Sequence, residues 1–413
     1  MNLDSMLSDD MYWKIVYERL LCKVSVDVSE ITELYENREQ LKKELLDGEY
    51  KFSIPKKILV DKANGKKRVV YLFNTKDRLI IGVLYRVINT FFCNNLSENC
   101  FSYKSKTTTL DAIKYLKHDK HLSTKYCMKV DISHYFNSVN KEHIYNTLNT
   151  LFRGYENTLA YKYIFDIYSL DRCIYEDEII TEFMSLIPGT AVSNLLGNYC
   201  LKDVDNYFKD NNISYARYSD DIIMFGESEN ELNNYLTKLR GMIKDYGLEI
   251  KTSKCRVYKP HEFVTFLGLK FNDTIIDLSR ESVTKLKKKI KKLCKEGRRK
   301  IVKGFAYEDV ATTIINRINY FMYTCYIKDS TKFGWAYYAF RYINTDESIR
   351  ELDFYLRDTL RWLKTGKYNS ANIKKTTDTQ LHDMGYRSIV MMYKAFKTDF
   401  DVYCSMVDLI KQI

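Results

Sequence analysis

Two adjacent aspartates, Asp220 and Asp221, stand between two apolar segments, ARY before the intervening serine and IIMFG after the pair. This pattern predicts a strand, a short polar turn and a second strand, with both carboxylates at the tip. Neighbouring like charges repel, and beside buried strands that repulsion is costly unless cations compensate it. The pair therefore indicates either a solvated hairpin tip or a bound cation.

A third carboxylate, Asp131, ends the apolar segment YCMKVDI at residues 126–132. Mg²⁺ prefers carboxylate oxygens and keeps water and phosphate oxygens as its other ligands. Two such ions about 3.5–4 Å apart can hold the attacking and the leaving oxygen of a phosphoryl transfer. We expect Asp131, Asp220 and Asp221 to be catalytic and to bind two Mg²⁺ ions, with Mn²⁺ as a substitute.

The composition is that of a folded protein with a polyanionic partner. Of 413 residues, 45% are hydrophobic and 14% aromatic, which argues against disorder, and only 3 are Pro, which favours helices. The net charge of +11 suits a nucleic acid, although a Lys-rich proteome would also produce it. The 10 Cys form no CxxC pair. With no signal peptide or apolar run of about 18–20 residues, we expect a cytoplasmic protein without a membrane span.

The segment Tyr218-Ser219-Asp220-Asp221 resembles the YxDD signature of reverse transcriptases, and the resemblance extends over about residues 50–275. Residues 131–136 resemble the first palm motif of that family. The resemblance implies that the carbonyl of Ile132 joins the metal ligands. It also implies that Phe136 is a steric gate that favours dNTPs, with ordinary core packing as the alternative.

Further motifs follow in the family's order. Residues 188–196 resemble the second motif, in which Gly189 and Ser193 keep the expected spacing near the nucleotide, whereas its usual Gln is absent. Residues 248–258 resemble the fourth motif and assign Lys254 as a general acid near the leaving pyrophosphate. Phe266-Leu267-Gly268 resembles the primer grip.

Basic and aromatic residues complete the predicted nucleic-acid contacts. Lys66 and Arg68 follow the turn signal Asn64-Gly65, and the resemblance implies that they bind the triphosphate. Arg78 is expected to contact either the template or the triphosphate. The resemblance places the primer and template at a larger set of residues: Tyr103, Lys104, Tyr218, Phe266, Leu267, Gly268, Lys288 and Lys292. The last two belong to residues 284–300, which carry ten Lys or Arg and one acid, and a solvated helix face is the alternative for them.

The resemblance implies an α+β fold of the right-hand polymerase type, with a palm built on an antiparallel sheet. Residues 1–50 form a helical N-terminal extension. The fingers take residues 51–125 and 141–186, the palm 126–140 and 187–275, and a helical thumb and C-terminal region 276–413. In more detail, we expect helices over 10–21, 31–46 and 141–170, a strand hairpin over 51–73, a strand over 248–258, and helices alone after about residue 280.

The expected activity is RNA-directed DNA polymerisation, with an RNA template, dNTPs, a DNA product and no membrane; the sequence is also compatible with a homo-oligomer. The altered second motif and residues 201–205 look like those of abortive-infection and other defence-associated bacterial reverse transcriptases, with group II intron and retron enzymes as relatives. That likeness implies antiphage defence with a non-coding RNA template. The alternatives are a template-independent or protein-primed DNA polymerase, an RNA-dependent RNA polymerase, and a non-catalytic RNA-binding module with a degenerate palm.

Overall fold

The computed structural model of the chain describes residues 2–21, 23, 25–61, 65, 67–104, 107–117, 122–327 and 330–411. The chain divides into two compact units, Met1–His261 and Glu262–Ile413. This boundary lies close to the end of the expected palm. The finer division into extension, fingers, palm and thumb stays a prediction.

Unit 1 alternates helices with short strands. Its helices are α1 (Asp10–Leu21), α2 (Val28–Glu36), α3 (Arg38–Leu46), α4 (Thr75–Phe92), α5 (Thr109–Lys117), α6 (Tyr135–Ser138), α7 (Lys141–Leu151), α8 (Leu159–Ser169), α9 (Ala191–Cys200), α10 (Lys202–Asp210) and α11 (Glu229–Lys244). Its strands are β1 (Lys56–Asp61), β2 (Lys67–Leu72), β3 (Tyr126–Asp131), β4 (Arg172–Tyr175), β5 (Glu178–Thr181), β6 (Tyr215–Tyr218), β7 (Asp221–Gly226) and β8 (Arg256–Tyr258).

Two four-stranded sheets organise this unit. The central sheet has the order β6-β7-β3-β8, and all its neighbouring strands are antiparallel. The hairpin sheet has the order β2-β1-β4-β5, in which β1 and β4 are parallel and the other pairs antiparallel. The mixture of helices with antiparallel sheets confirms the predicted α+β class.

The middle strands of the central sheet are apolar because they are covered on both faces. Val130 of β3 and Ile222, Ile223 and Met224 of β7 are fully buried. Helix α11 packs on both strands, and its N-terminus is capped by Ser228, whose hydroxyl accepts a hydrogen bond from the Glu231 N–H. Burial of these strands fixes their register, since a slip of one residue would turn every side chain to the opposite face.

Unit 2 is mainly helical. Its strands are β9 (Val264–Phe266), β10 (Leu269–Phe271), β11 (Ile276–Leu278), β12 (Thr324–Ile327) and β13 (Ser330–Phe333). Its helices are α12 (Arg280–Val302), α13 (Tyr307–Tyr323), α14 (Trp335–Tyr342), α15 (Glu347–Thr365), α16 (Asn372–Lys375), α17 (Asp378–Asp383), α18 (Ile389–Thr398) and α19 (Phe400–Lys411). Among the described helices of the whole chain, none has the length and apolar character that crossing a membrane requires.

The basic run predicted at 284–300 lies on α12, which buries one narrow stripe, while its other residues are exposed or partly buried. Val283, Leu286, Ile290 and Cys294 recur at helical spacing and are buried. A Cβ on Gly297 would lie 2.9 Å from Ile314 and 3.1 Å from Leu363, so the absence of a side chain allows close packing there. The α12 helix packs on α13 and α15.

Four local predictions were wrong in detail. The helix expected over 31–46 is divided at Asn37, and the one expected over 141–170 is divided between Leu151 and Leu159. The strand expected over 248–258 contains a 3-10 turn at Thr252–Lys254. Strands β12 and β13 interrupt the region expected to be entirely helical.

Candidate active site

The predicted pair of aspartates lies at a tight turn between β6 and β7. Tyr218 pairs with Asp221, so that Ser219 and Asp220 form the turn. Ser219 has a φ of +61°, the left-handed region that non-glycine residues rarely adopt. The Ser219 N–H donates to the Ser102 hydroxyl at 2.9 Å, and its carbonyl accepts from Arg217 at 3.1 Å. These two bonds hold the strained residue in place.

Strand β3 brings the third carboxylate to the same end of the sheet. Asp131 is paired in register with Asp221. The Ile132 N–H donates to the Asp220 carbonyl at 3.2 Å, which extends the pairing by one residue. The sheet therefore brings Asp131 close to Asp220 and Asp221, which follow it in the sequence by about 90 residues.

The three acids have different surroundings. Burial raises the pKa of Asp220, and the charges of Asp131 and Asp221 raise it further, while Arg68 opposes them. Asp131 forms an ion pair with Lys254, and Asp221 forms one with Lys129 at 3.3 Å. The negative charge at this edge is thus partly balanced by two lysines.

The donor set fits hard divalent cations, because it consists of carboxylate oxygens. Burial, and then the charges of Asp131 and Asp221, raise the pKa of Asp220, and a bound cation would oppose this effect. As the side chains stand, however, no three or more His, Cys, Asp or Glu within the described part of the chain converge on a common metal position. Instead, Lys129 forms an ion pair with Asp221, and Lys254 forms one with Asp131. A cation bound here would have to compete with these two ammonium groups.

The predicted gate and triphosphate residues lie beside one another. Phe136 is buried, and the Arg68 guanidinium carbon lies 5.7 Å from its ring centroid. Arg68 also acts electrostatically on Asp220, so its charge is near both the ring and the carboxylates. Lys66 lies outside the described residues.

Several predicted residues make contacts that shape the site's walls. Tyr103 and Tyr218 have ring centroids 6.2 Å apart, and the Lys104 ammonium donates to the Ser97 carbonyl at 3.3 Å. Ser193 is buried, and its hydroxyl lies 2.6 Å from that of Thr190. A Cβ on Gly189 (φ +113°) would lie 2.7 Å from the Tyr71 carbonyl, so this position requires glycine for close contact with β2.

Arg78 is directed toward the N-terminal segment. Its guanidinium donates to the Ser25 carbonyl at 2.9 Å and to the Ser25 hydroxyl at 3.1 Å. Its expected role at the nucleotide stays a prediction.

The remaining predicted residues belong to unit 2. Phe266 and Leu269 pair across a two-residue turn of Leu267 and Gly268, both with positive φ, as a tight hairpin requires. On α12, Lys288 and Lys292 are exposed. Lys291 between them is held inside the unit, with its ammonium 3.2 Å from the Trp362 ring centroid.

Sequence reasoning missed the residues that support the carboxylates. Fully buried Arg217 donates from Nε and Nη2 to Asp205 at 2.8 and 2.6 Å. It also donates to Asn198, which in turn accepts from Ser102 at 2.7 Å. The position of Arg217 inside an otherwise apolar strand indicated that it needs a buried acidic partner. For Lys129, the signal was its position two residues before Asp131, on the same strand face.

The central sheet places Asp131 and Asp221 on adjacent antiparallel strands, with Asp220 in the adjoining turn, which is the arrangement that the sequence motifs predict. Residues 54–271 match the family described as Reverse transcriptase (RNA-dependent DNA polymerase). The match covers more than half of the chain, and the protein belongs to the reverse transcriptase family. The enzyme class that we predicted, RNA-directed DNA polymerase, is the one that this family defines.

Solved structures of telomerases have a similar fold. Apo telomerase from Candida tropicalis is 12% identical with a TM-score of 0.50, over 87% of this chain and 64% of that one. Telomerase from Candida albicans with a TWJ fragment of telomeric RNA is 11% identical with a TM-score of 0.47, over 92% and 70%. Apo telomerase from Candida tropicalis truncated from its C-terminal domain is 14% identical with a TM-score of 0.45, over 55% of each chain.

This chain therefore spans just over half of the truncated telomerase, and the likeness is one of fold. No curated protein sequence matches it. The predicted polymerase fold is confirmed by the family match and by the apo telomerase from Candida tropicalis with a TM-score of 0.50.

Proposed function

We propose that the chain synthesises DNA on an RNA template by adding dNTPs to a 3′-hydroxyl. The observation that carries this proposal is the register pairing of Asp131 with Asp221, with Asp220 in the adjoining turn. These three carboxylates supply the hard oxygen ligands that phosphoryl transfer between nucleotides requires.

Asp131, Asp220 and Asp221, with the carbonyl of Ile132, would hold two Mg²⁺ or Mn²⁺ ions. When bound, such ions acidify the attacking hydroxyl and neutralise charge on the phosphates. Asp131 would exchange its ion pair with Lys254 for a metal contact, which releases the Lys254 ammonium. The freed ammonium can then donate a proton to the departing pyrophosphate.

Arg68 and Phe136 give the site its nucleotide preference. The Arg68 guanidinium, held over the Phe136 ring, is suited to a triphosphate because its donors match phosphate oxygens in pairs. The ring of Phe136 would exclude a 2′-hydroxyl by its bulk. This combination favours dNTPs and argues against RNA synthesis.

Exposed positive charge on α12 supports a nucleic-acid contact in unit 2. Five exposed residues recur at intervals of three and four along one helix face: Lys285, Lys288, Lys292, Lys295 and Arg299. At 1.5 Å per residue the row is about 21 Å long, which suits several successive phosphates. We assign Lys288 and Lys292 to this contact, together with Tyr103, Lys104, Tyr218 and the hairpin Phe266–Gly268 as primer and template contacts.

The biological setting proposed from the sequence is antiphage defence in the cytoplasm of a bacterium. What supports it is the resemblance of the second motif and of residues 201–205 to defence-associated enzymes. A dedicated non-coding RNA would be the template, and assembly into a homo-oligomer is compatible with this setting.

Primer extension tests the proposal. The full chain is incubated with an RNA template, a DNA primer, four dNTPs and Mg²⁺, beside Asp131→Ala, Asp220→Ala and the control Asp210→Ala on the exposed end of α10. Wild type and the control should extend the primer, and the other two variants should not, although their circular dichroism stays unchanged.

Other outcomes of this assay separate the rival functions. Extension by Asp131→Ala or Asp220→Ala would refute the carboxylate assignment. A homopolymer made without RNA would favour the template-independent polymerase. RNA binding without any synthesis by the wild type would favour the non-catalytic module.

A further inference from the structure

A second concentration of charge in unit 1 surrounds a cavity of about 230 Å³. Its walls come from the N-terminal segment, the end of β2, helix α4 and the start of α9. Four of the lining residues are cationic: Arg19, Lys23, Arg78 and Arg86. None of the described residues that line it is Asp or Glu.

The four cations are close enough to affect one another. Desolvation lowers the pKa of Lys23, and the charges of Arg19 and Arg78 lower it further. Burial lowers the pKa of Arg86, and Arg19 adds to that shift. Burial also lowers the pKa of Arg78, against the attraction of Glu30. The cluster therefore accumulates like charge that an anion would relieve.

The Arg86 side chain also has a hydrogen-bond donor without an acceptor in the described part of the chain. Its Nε is buried and makes no hydrogen bond to another described residue. A buried donor without an acceptor is unfavourable, and more so when it is charged. An anion in the cavity would supply the missing acceptor.

Another part of the lining is also suited to an anion. Gly189, Thr190 and Ala191 line the cavity at the beginning of α9, a helix of 10 residues. The N-terminus of a helix carries partial positive charge and directs N–H groups outward. Phosphate oxygens suit both parts, since guanidinium groups bind them in pairs.

We propose that this cationic cavity binds the phosphates of single-stranded nucleic acid, and that Arg19 and Lys23 give the N-terminal segment a direct part in that binding. The inference rests on the proposed function for the identity of the strand. Strand β2 joins the two sites: Arg68 acts on Asp220, and Tyr71, about 10 Å further along β2, lines the cavity. A strand copied at the carboxylates can continue into the cavity, whereas a free mononucleotide spans only one of the two sites.

The experiment measures binding without synthesis. In an Asp220→Ala background with EDTA, fluorescence anisotropy follows a labelled 20-nucleotide single-stranded RNA at increasing salt. The test variant is Arg19→Gln with Lys23→Gln. The control is Lys14→Gln with Lys43→Gln, which removes the same charge from exposed positions of α1 and α3 outside the cavity.

The expected effect follows from counterion release. Each phosphate contact contributes a slope of about 0.7 in the logarithm of the affinity against that of salt, so two lost contacts should reduce the slope by about 1.4. At 0.1 M salt the affinity should fall about 25-fold for the test variant, and less than about threefold for the control.

Two results would overturn the inference. Equal losses in both double variants would mean that only the general positive charge of the N-terminal segment matters. Unchanged RNA affinity, with lost binding of inorganic triphosphate measured by competition, would assign the cavity to a free phosphorylated molecule. Because no synthesis is needed, an inactive wild type would refute the proposed function and leave this measurement intact.

Discussion

The buried ion pair between Arg217 and Asp205 should be essential for the stability of unit 1. Both side chains are completely buried, and they share two hydrogen bonds of 2.8 and 2.6 Å. In Asp205→Asn the cation keeps its position but loses the compensating charge. Removing one partner of such a pair typically costs about 3–5 kcal/mol, and we expect a loss of the free energy of unfolding in that range.

A double variant separates the effect of the uncompensated charge on stability from the effect of lost packing. Replacing both members, as Asp205→Leu with Arg217→Met, removes the uncompensated charge, and exchanges of whole buried pairs are often nearly neutral. The Ser219 carbonyl loses its Arg217 donor in this variant, so the recovery should be partial. We expect a coupling of about 2–3 kcal/mol between the two positions.

Urea unfolding provides the assay. Trp13 is fully buried in unit 1, and a Trp335→Phe, Trp362→Phe background makes it the only tryptophan. With a slope of about 3 kcal/mol/M for a unit of this size, the midpoint for Asp205→Asn should fall by about 1 M or more. A fall of less than about 0.3 M, or additive effects of the two positions, would refute the reasoning.

Three further predictions concern separate parts of the unit. Phe136→Ala should reduce discrimination against ribonucleotides by about 10–200-fold, measured by single-nucleotide incorporation, and unchanged discrimination would remove the gate assignment. Lys254→Met should lower kcat by about 10²–10⁴-fold with KM for dNTP little changed, whereas a rise in KM alone would contradict its role as proton donor. Burial lowers the pKa of His143, so the unfolded chain binds a proton more readily and the free energy of unfolding should fall as the pH drops below about 6.5. His143→Gln should reduce this dependence on pH, measured by urea unfolding at pH 7 and 5.5. The same dependence in both proteins would contradict the prediction.

The parts of the site that the sequence predicted are those that local patterns determine. Apolar segments next to acids predicted β3, β6 and β7, and the central sheet brings these acids together. The turn signal Asn64-Gly65 predicted the hairpin of β1 and β2. The resemblance added the family, which the match over residues 54–271 confirms, whereas the roles of the individual motif residues stay predictions.

Other features depend on partners that no local pattern reveals. The β4–β5 hairpin turns at Glu176 and Asp177, both with positive φ, instead of at a usual Asn-Gly pair. Asp205 lies on α10, twelve residues before Arg217, in a segment that reads as an ordinary amphipathic helix. Lys254, which forms an ion pair with Asp131, lies in a 3-10 turn where a strand was expected. Tertiary contacts overrule the local signal in each case.

Templated synthesis is tested most directly by changing the template. The full chain is given one DNA primer, four dNTPs and, in separate reactions, two RNAs that share the primer site but differ beyond it, and the products are sequenced. Our account predicts DNA complementary to each RNA, and none from Asp220→Ala. The same product from both RNAs, or synthesis by Asp220→Ala, would contradict it.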